Sequence, residues 1–176
     1  MLRIGVIALL VTVFPSLAVA HGPSRKKEIS TIEVNAPVEK VWVLISNYAD
    51  MTWHPDIAKS EMTGEMKPDA AKRTLVFKSG AVFEDGLLDY EPEKKMIAFM
   101  TSKVDLKTLP VDGFKSQFTV KDEGGKTSIT WLAAFYRGYP NNDPPPELSD
   151  NAAIAAVTAF QKRGMDALKA KFEGGN

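Results

Sequence analysis

The side chain in this sequence best suited to moving a proton at neutral pH is His54, in the run Trp53-His54-Pro55. An imidazole near its usual pKa of about 6.5 can act as a general base, here at the mouth of a binding cavity. The other reading is a loop residue whose ring packs beside Trp53 and hydrogen-bonds to backbone, with Pro55 biasing it to an extended conformation. No serine or second histidine is spaced to pair with it as nucleophile and base, which argues against a hydrolase. The chain has no cysteine, so thiol redox chemistry and thiolate metal sites are excluded.

Glu84 and Asp85 are adjacent in a strand-like stretch, so their side chains point to opposite faces and cannot work as a paired acid and base. One of them must face inward. If it is Glu84, it forms a polar group in a cavity with a raised pKa; a bulge at Gly86 would instead let both reach solvent, and a simple salt bridge is the plain alternative. Trp53, Phe83, Tyr90, Phe99, Phe118, Trp131 and Phe135 can line an apolar pocket or fill an ordinary core. His21 could chelate copper through its amine and ring once it is the N-terminus, with only His54 as a second imidazole. Phosphate-cradling glycines, zinc spacing and EF-hand loops are all missing, so no metal and no cofactor is expected.

These residues need a scaffold, and its central piece is a C-terminal helix over 148–172. Ile154, Val157, Phe160, Met165, Leu168 and Phe172 fall on one stripe roughly 140° wide. Ser149 can cap the helix after Pro144, Pro145 and Pro146, Lys169 and Lys171 suit its last turns, and Gly174 and Gly175 end it. Gln161 and Gly164 break the apolar stripe. Glycine costs about 1 kcal/mol inside a helix and a buried amide needs partners, so a helix lining a cavity accommodates both. A close approach of helix to sheet at Gly164 with Gln161 partly exposed accounts for them equally.

Upstream, 29–34 alternates as a strand, and Asn35 or Ala36 caps a helix with Pro37 in its first turn and Val38, Val41, Trp42 and Ile45 at helical spacing. The stretch 47–55 reads as a loop. Strand patterns follow at 57–64, 73–78, 81–90, 96–102, 114–121 and 126–136, with a hairpin turn at Asp122-Glu123-Gly124-Gly125. A Pro-rich loop over 138–146 then covers a cavity, contacts a partner, or simply aims the helix. Consecutive strands with short turns imply an antiparallel sheet, so the fold class is α+β: a curved antiparallel sheet wrapped around one long helix.

Arg3, the apolar run 4–14 and Ala18 and Ala20 make a secretory signal peptide cut after Ala20, and no later segment approaches the roughly 20 apolar residues of a membrane span. A soluble exported, periplasmic product is expected. The organisation reads as signal peptide 1–20, a loose basic arm 21–28 with Arg25, Lys26 and Lys27, and one domain over 29–173. With Arg3 removed the formal charge is −1, which gives no footprint for nucleic acid or an anionic membrane.

The order strand, helix, consecutive strands, terminal helix, with the opening Asn35-Ala36-Pro37-Val38-Glu39-Lys40-Val41-Trp42, resembles the START/Bet v 1-like superfamily, also called SRPBCC. The Trp53-His54-Pro55 loop, Leu109-Pro110-Val111 and Trp131 are similar to its polyketide cyclase/dehydrase branch. That resemblance implies a helix-grip fold holding an apolar ligand between sheet and helix, with Trp53, His54, Phe83, Glu84, Phe99, Phe118, Trp131, Phe160, Gln161 and Gly164 as cavity candidates. A start at His21-Gly22-Pro23 after a signal peptide further resembles the MxaD-type periplasmic proteins of methylotrophic bacteria. This implies a non-catalytic accessory role in passing electrons from methanol dehydrogenase to its cytochrome c, through weak, salt-sensitive contacts of the basic arm and acidic edges. The alternatives are a cyclase or dehydratase using His54 or Glu84, and a carrier of a small hydrophobic ligand.

Overall fold

The computed structural model describes residues 22–174, so the expected signal peptide, its expected cleavage after Ala20, and His21 lie outside the described residues. The elements run β1 (Lys26–Val34), α1 (Val38–Ser46), β2 (Ile57–Thr63), β3 (Lys72–Phe77), β4 (Val82–Glu91), β5 (Met96–Lys103), β6 (Val111–Asp122), β7 (Thr127–Arg137) and α2 (Asp150–Glu173). Neighbouring strands are antiparallel in the order β1-β7-β6-β5-β4-β3-β2. The first strand thus lies beside the last, and the strands joined through α1 are the two edges. With α2 packed over β1 and β7, this is the α+β helix-grip fold expected from the sequence.

Strand alternation decides what faces the helix. The inward positions of β6 and β7 carry Phe114, Ser116, Phe118 and Val120, then Ile129, Trp131, Ala133 and Phe135, all buried. On α2 the buried side is Ala153, Val157, Phe160, Gln161, Gly164, Met165 and Leu168, while Ile154 and Phe172 are half-buried. Ser149 is the N-cap, its hydroxyl accepting from the Ala152 N–H at 3.2 Å.

Two local readings need correction. The basic cluster is not a loose arm: β1 starts at Lys26, and Lys26, Lys27 and Glu28 pair with Phe135, Ala134 and Ala133. Their inward members meet polar partners on α2, Lys26 reaching Asp150 at 3.3 Å and Glu28 accepting from Thr158 at 3.5 Å. Charged inward positions erase the apolar alternation by which a strand is recognised. Helix α1 has no side-chain cap either; Pro37 itself is its N-cap, with extended ψ. The strand-to-helix corner is fixed by buried Thr127, whose hydroxyl donates to the Ala36 carbonyl at 2.6 Å.

The register also aligns three inward polar residues in one row across β3, β4 and β5: Arg73 opposite Asp85, and Asp85 opposite Thr101. Arg73 donates to Asp85 Oδ2 from Nε at 3.1 Å and Nη2 at 2.6 Å, and Thr101 donates to Oδ1 at 2.7 Å. A third guanidinium bond, Nη1 to the Tyr48 carbonyl at 3.2 Å, ties the end of α1 to the sheet. The guanidinium carbon also lies 4.4 Å from the ring centres of both Tyr48 and Phe99.

Removing one member of a buried ion pair strands the other charge, whereas an apolar pair of similar volume costs far less. Asp85→Ala should therefore lose about 3–5 kcal/mol in denaturant unfolding, and Arg73→Met with Asp85→Leu should regain most of it. An Asp85→Ala midpoint equal to wild type would show that the row does not stabilise the fold.

Candidate functional site

Between α1 and β2 the chain makes a compact loop that carries Trp53 and His54 into the interior. Asp50 shapes it, one carboxylate oxygen accepting from the Thr52 N–H at 2.8 Å and hydroxyl at 2.6 Å. Backbone bonds from the His54 N–H to the Met51 carbonyl (2.9 Å) and from the Ile57 N–H to the His54 carbonyl (3.0 Å) continue the turn. On its rim Asp56 receives a forked ion pair from Arg163 of α2, at 2.9 Å from Nε and 2.7 Å from Nη2.

His54 is fully buried, and both of its ring nitrogens are committed. Nδ1 faces the Asp56 N–H at 3.2 Å, and Nε2 faces the Phe160 carbonyl at 3.0 Å. An N–H can only donate and a carbonyl can only accept, so the ring is neutral with its proton on Nε2. Burial pushes its pKa down to about 4; the Phe160 carbonyl and Asp56 oppose the shift, and Arg163 adds to it. Of the two readings of this residue, the general base at a cavity mouth is therefore not the one the fold adopts. The ring joins loop to helix.

Gly164 and Gln161 serve the same junction. A Cβ at Gly164 would come within 2.6 Å of His54 Cδ2 and 2.9 Å of Trp131 Cζ3, so the glycine makes room for these two side chains. Gln161 donates to the Trp131 carbonyl at 2.9 Å, and the Trp131 indole N–H donates to the Ser116 hydroxyl at 3.1 Å. Around Trp131 the ring centres of Phe118, Phe160, His54 and Trp53 lie at 4.6, 5.4, 6.1 and 6.4 Å. Phe160 stacks on His54 at 4.1 Å, and Phe77 links it to Phe83. Phe99 adjoins Phe118 at 6.3 Å.

The structure thus gathers Trp53, His54, Phe83, Phe99, Phe118, Trp131, Phe160, Gln161 and Gly164 in one interior, and leaves Glu84 outside it. Strand parity is the reason: Phe83, Asp85 and Leu87 face inward, while Glu84 is exposed and meets Lys103 at 3.1 Å. Of the adjacent pair Glu84 and Asp85 the inward one is Asp85, and its partners Arg73 and Thr101, like Ser116 under Trp131, are interior polar residues that the sequence reading missed. The signal was present, since Arg73 alternates with Leu75 and Phe77, and Asp85 with Phe83 and Leu87.

Side chains fill the space that the helix-grip arrangement could leave open. Among the described residues, two small hollows of about 10 Å³ each lie against this interior, one beside Tyr48, Arg73 and Phe118, the other beside Phe83, Asp85, Thr101 and Phe160. That is about the room of one water molecule. The Tyr48 hydroxyl, at the first void, is buried without a hydrogen-bond partner, and burial pushes its pKa up. Two larger open depressions border this interior: one of about 270 Å³ over Pro55, Phe77, Lys78, Thr108 and the Asp56–Arg163 pair, and one of about 440 Å³ that reaches Arg73, Asp85 and Leu87 from the side of Lys72, Glu84 and Leu88. Among the described residues no three His, Asp or Glu side chains converge to hold a metal ion, and no helix is long and apolar enough to cross a membrane.

Two predictions follow from this geometry. Gly164→Ala forces a methyl against His54 and Trp131 and should cost about 1–3 kcal/mol, read as a lower unfolding midpoint despite alanine's better helix propensity. A stabilised variant would refute the close approach. For His54, the unfolded chain takes up a proton below about pH 6.5 and the folded chain only near pH 4. Its contribution is whole above pH 6.5 and is lost as pH falls toward 4, amounting to about 2 kcal/mol between pH 7 and pH 5. His54→Gln should flatten that part of the stability profile; an equal slope in both proteins would place the titration elsewhere.

Solved structures share this backbone. The protein XoxI of Bacillus cereus aligns with a TM-score of 0.69 at 21% identity, covering 83% of this chain and 94% of its own. The Zhui aromatase/cyclase of a Streptomyces species gives 0.68 at 16%, covering 84% and 93%. Norcoclaurine synthase of Thalictrum flavum gives 0.63 at 14%, covering 93% and 95%. No curated protein matches the sequence. Identities this low speak for the fold alone. The sequence of residues 29–173, however, matches a family described as polyketide cyclase / dehydrase and lipid transport. The match covers nearly all of the described residues and the helix-grip fold is shared with a START superfamily protein of Mycobacterium smegmatis, so the chain belongs to this polyketide cyclase / dehydrase and lipid transport family.

Proposed function

We propose that this protein is exported to the periplasm, with its signal peptide cut after Ala20, and acts there by binding rather than by catalysis. In this reading it is an accessory factor of methanol oxidation that aids electron transfer from methanol dehydrogenase to its cytochrome c. The observation that supports the non-catalytic part is the packed interior: His54 has both nitrogens engaged, and the two hollows around its aromatic cluster hold about 10 Å³ each. A grip closed in this way leaves the surface as the working part. The methanol-oxidation part rests on the likeness to MxaD-type proteins in the His21-Gly22-Pro23 start, Trp53-His54-Pro55 and Leu109-Pro110-Val111. In the fold, Pro55 belongs to the loop pinned by His54, and the Pro110 carbonyl accepts from the Gly138 N–H at 2.8 Å, joining the second segment to the end of β7.

A second reading, a carrier of a small apolar molecule, is favoured by the unpartnered Tyr48 hydroxyl beside an aromatic interior. It requires the interior to open, with the Asp56–Arg163 pair as an outer fastening.

The test is the rate of electron transfer from methanol dehydrogenase to cytochrome c, with and without the purified exported protein, at low and high salt. The accessory reading expects a rate increase that shrinks with salt, because contacts between exposed charges are screened. No effect at either salt would end it, and a co-purifying apolar molecule seen by native mass spectrometry would then favour the carrier.

A further inference from the structure

Among the described residues strand β1 has a partner on one side only, β7, so the other edge of its nine residues is open to a further strand. An open edge presents unpaired N–H and C=O groups to any chain that can lie alongside, and proteins commonly blunt it with charge. Here the charges are arranged in a way that a second copy could use. Reading Lys26-Lys27-Glu28-Ile29-Ser30-Thr31-Ile32-Glu33-Val34 against itself in antiparallel, one register overlaps all nine residues, with Ser30 on the two-fold axis. That register sets Lys27 opposite Glu33 of the second copy, twice over, with both side chains on the outer face. It also sets exposed Ile29, 63% accessible, opposite Thr31.

From these observations we infer that the protein forms a two-fold dimer by pairing β1 with β1, making one sheet continuous through two copies. The outer rows support it. Lys115, Ala134 and Lys27 form one row and Gln117, Leu132 and Ile29 the next. In the dimer the first row continues into Glu33, and the second into Thr31, of the second copy. Glu33, already 3.7 Å from Lys126 of its own chain, would then lie between two cations. On the other face the flank of α2 next to β1 exposes Asn151, Ala155, Thr158 and Ala159, small side chains that let two helices come close. This reading is independent of any role in methanol oxidation.

The test uses the purified exported protein in sedimentation equilibrium, from roughly micromolar concentration upwards, at low and high salt. A self-association to dimer is expected. Lys27→Glu or Glu33→Lys alone turns both cross-strand attractions into repulsions and should weaken the dimer roughly tenfold or more. The double variant should restore it, and so should an equal mixture of the two single variants. Because the chain has no cysteine, Ser30→Cys supplies a clean second probe. Two copies of residue 30 would face each other at about 4.5–5.5 Å between Cα atoms, within disulfide range. Mild oxidation should link Ser30→Cys much faster than Val43→Cys, which is 70% exposed on α1. A monomer at every concentration, a dimer indifferent to the charge swaps, or equal linking of the two cysteine variants would overturn the inference.

Discussion

A methyl group that cannot be present at position 164 sets the distance between α2 and the rest of the molecule. With hydrogen in its place, His54 and Trp131 pack against the helix backbone, where a Cβ would lie 2.6 and 2.9 Å from their rings. A mid-helix glycine costs about 1 kcal/mol relative to alanine. The approach it permits is held by bonds that cross between elements: His54 to the Phe160 carbonyl, and Gln161 to the Trp131 carbonyl. Each intramolecular bond contributes only about 1 kcal/mol net, but leaving either buried donor unmet would cost more. The stacked and edge-on contacts among His54, Phe160, Trp131 and Phe118 can form only at this separation.

The loop that carries His54 is held a second time, from the sheet. Arg73 reaches back to the Tyr48 carbonyl while Asp85 and Thr101 satisfy the rest of its row. Buried ion pairs are weak evidence for net stability, since desolvation offsets most of the attraction. Their effect here is positional: the guanidinium needs acceptors at fixed places, and one of them is the loop. Residues 47–56 are therefore fastened at the start by β3, in the middle by α2 through His54, and at the end by Arg163 on Asp56. In this conformation the loop fills the grip.

The sequence made much of this legible because the two period signals are strong. Strands β3, β6 and most of β4 and β7 alternate, and α2 carries an apolar stripe whose two exceptions, Gln161 and Gly164, are its contact points with loop and sheet. What it concealed has local causes. Adjacent carboxylates at 84 and 85 left the inward one open, and only the register with Arg73 and Thr101 decides for Asp85. The start of β1 looked like solvent-exposed chain because its inward partners, Asp150 and Thr158, lie more than a hundred residues away. His54 was visible as a residue of interest, but its role follows from two backbone groups, which no side-chain motif records.

A helix-grip protein can work through its interior or through its surface, and the packing here weighs on that choice. Pockets for small organic ligands run to several hundred cubic ångströms, whereas the voids inside this grip are about 10 Å³ each. Making such a pocket would require Phe160 or Trp53 to leave the cluster. Moving Phe160 disturbs the carbonyl that His54 binds, and moving Trp53 disturbs the loop that Arg73 holds. Opening is thus coupled to loss of the bonds that set the helix distance, so a ligand would have to supply contacts that replace several of them together. A partner that docks on the outer face or at an edge strand meets no such cost, because neither Phe160 nor Trp53 has to leave the interior cluster.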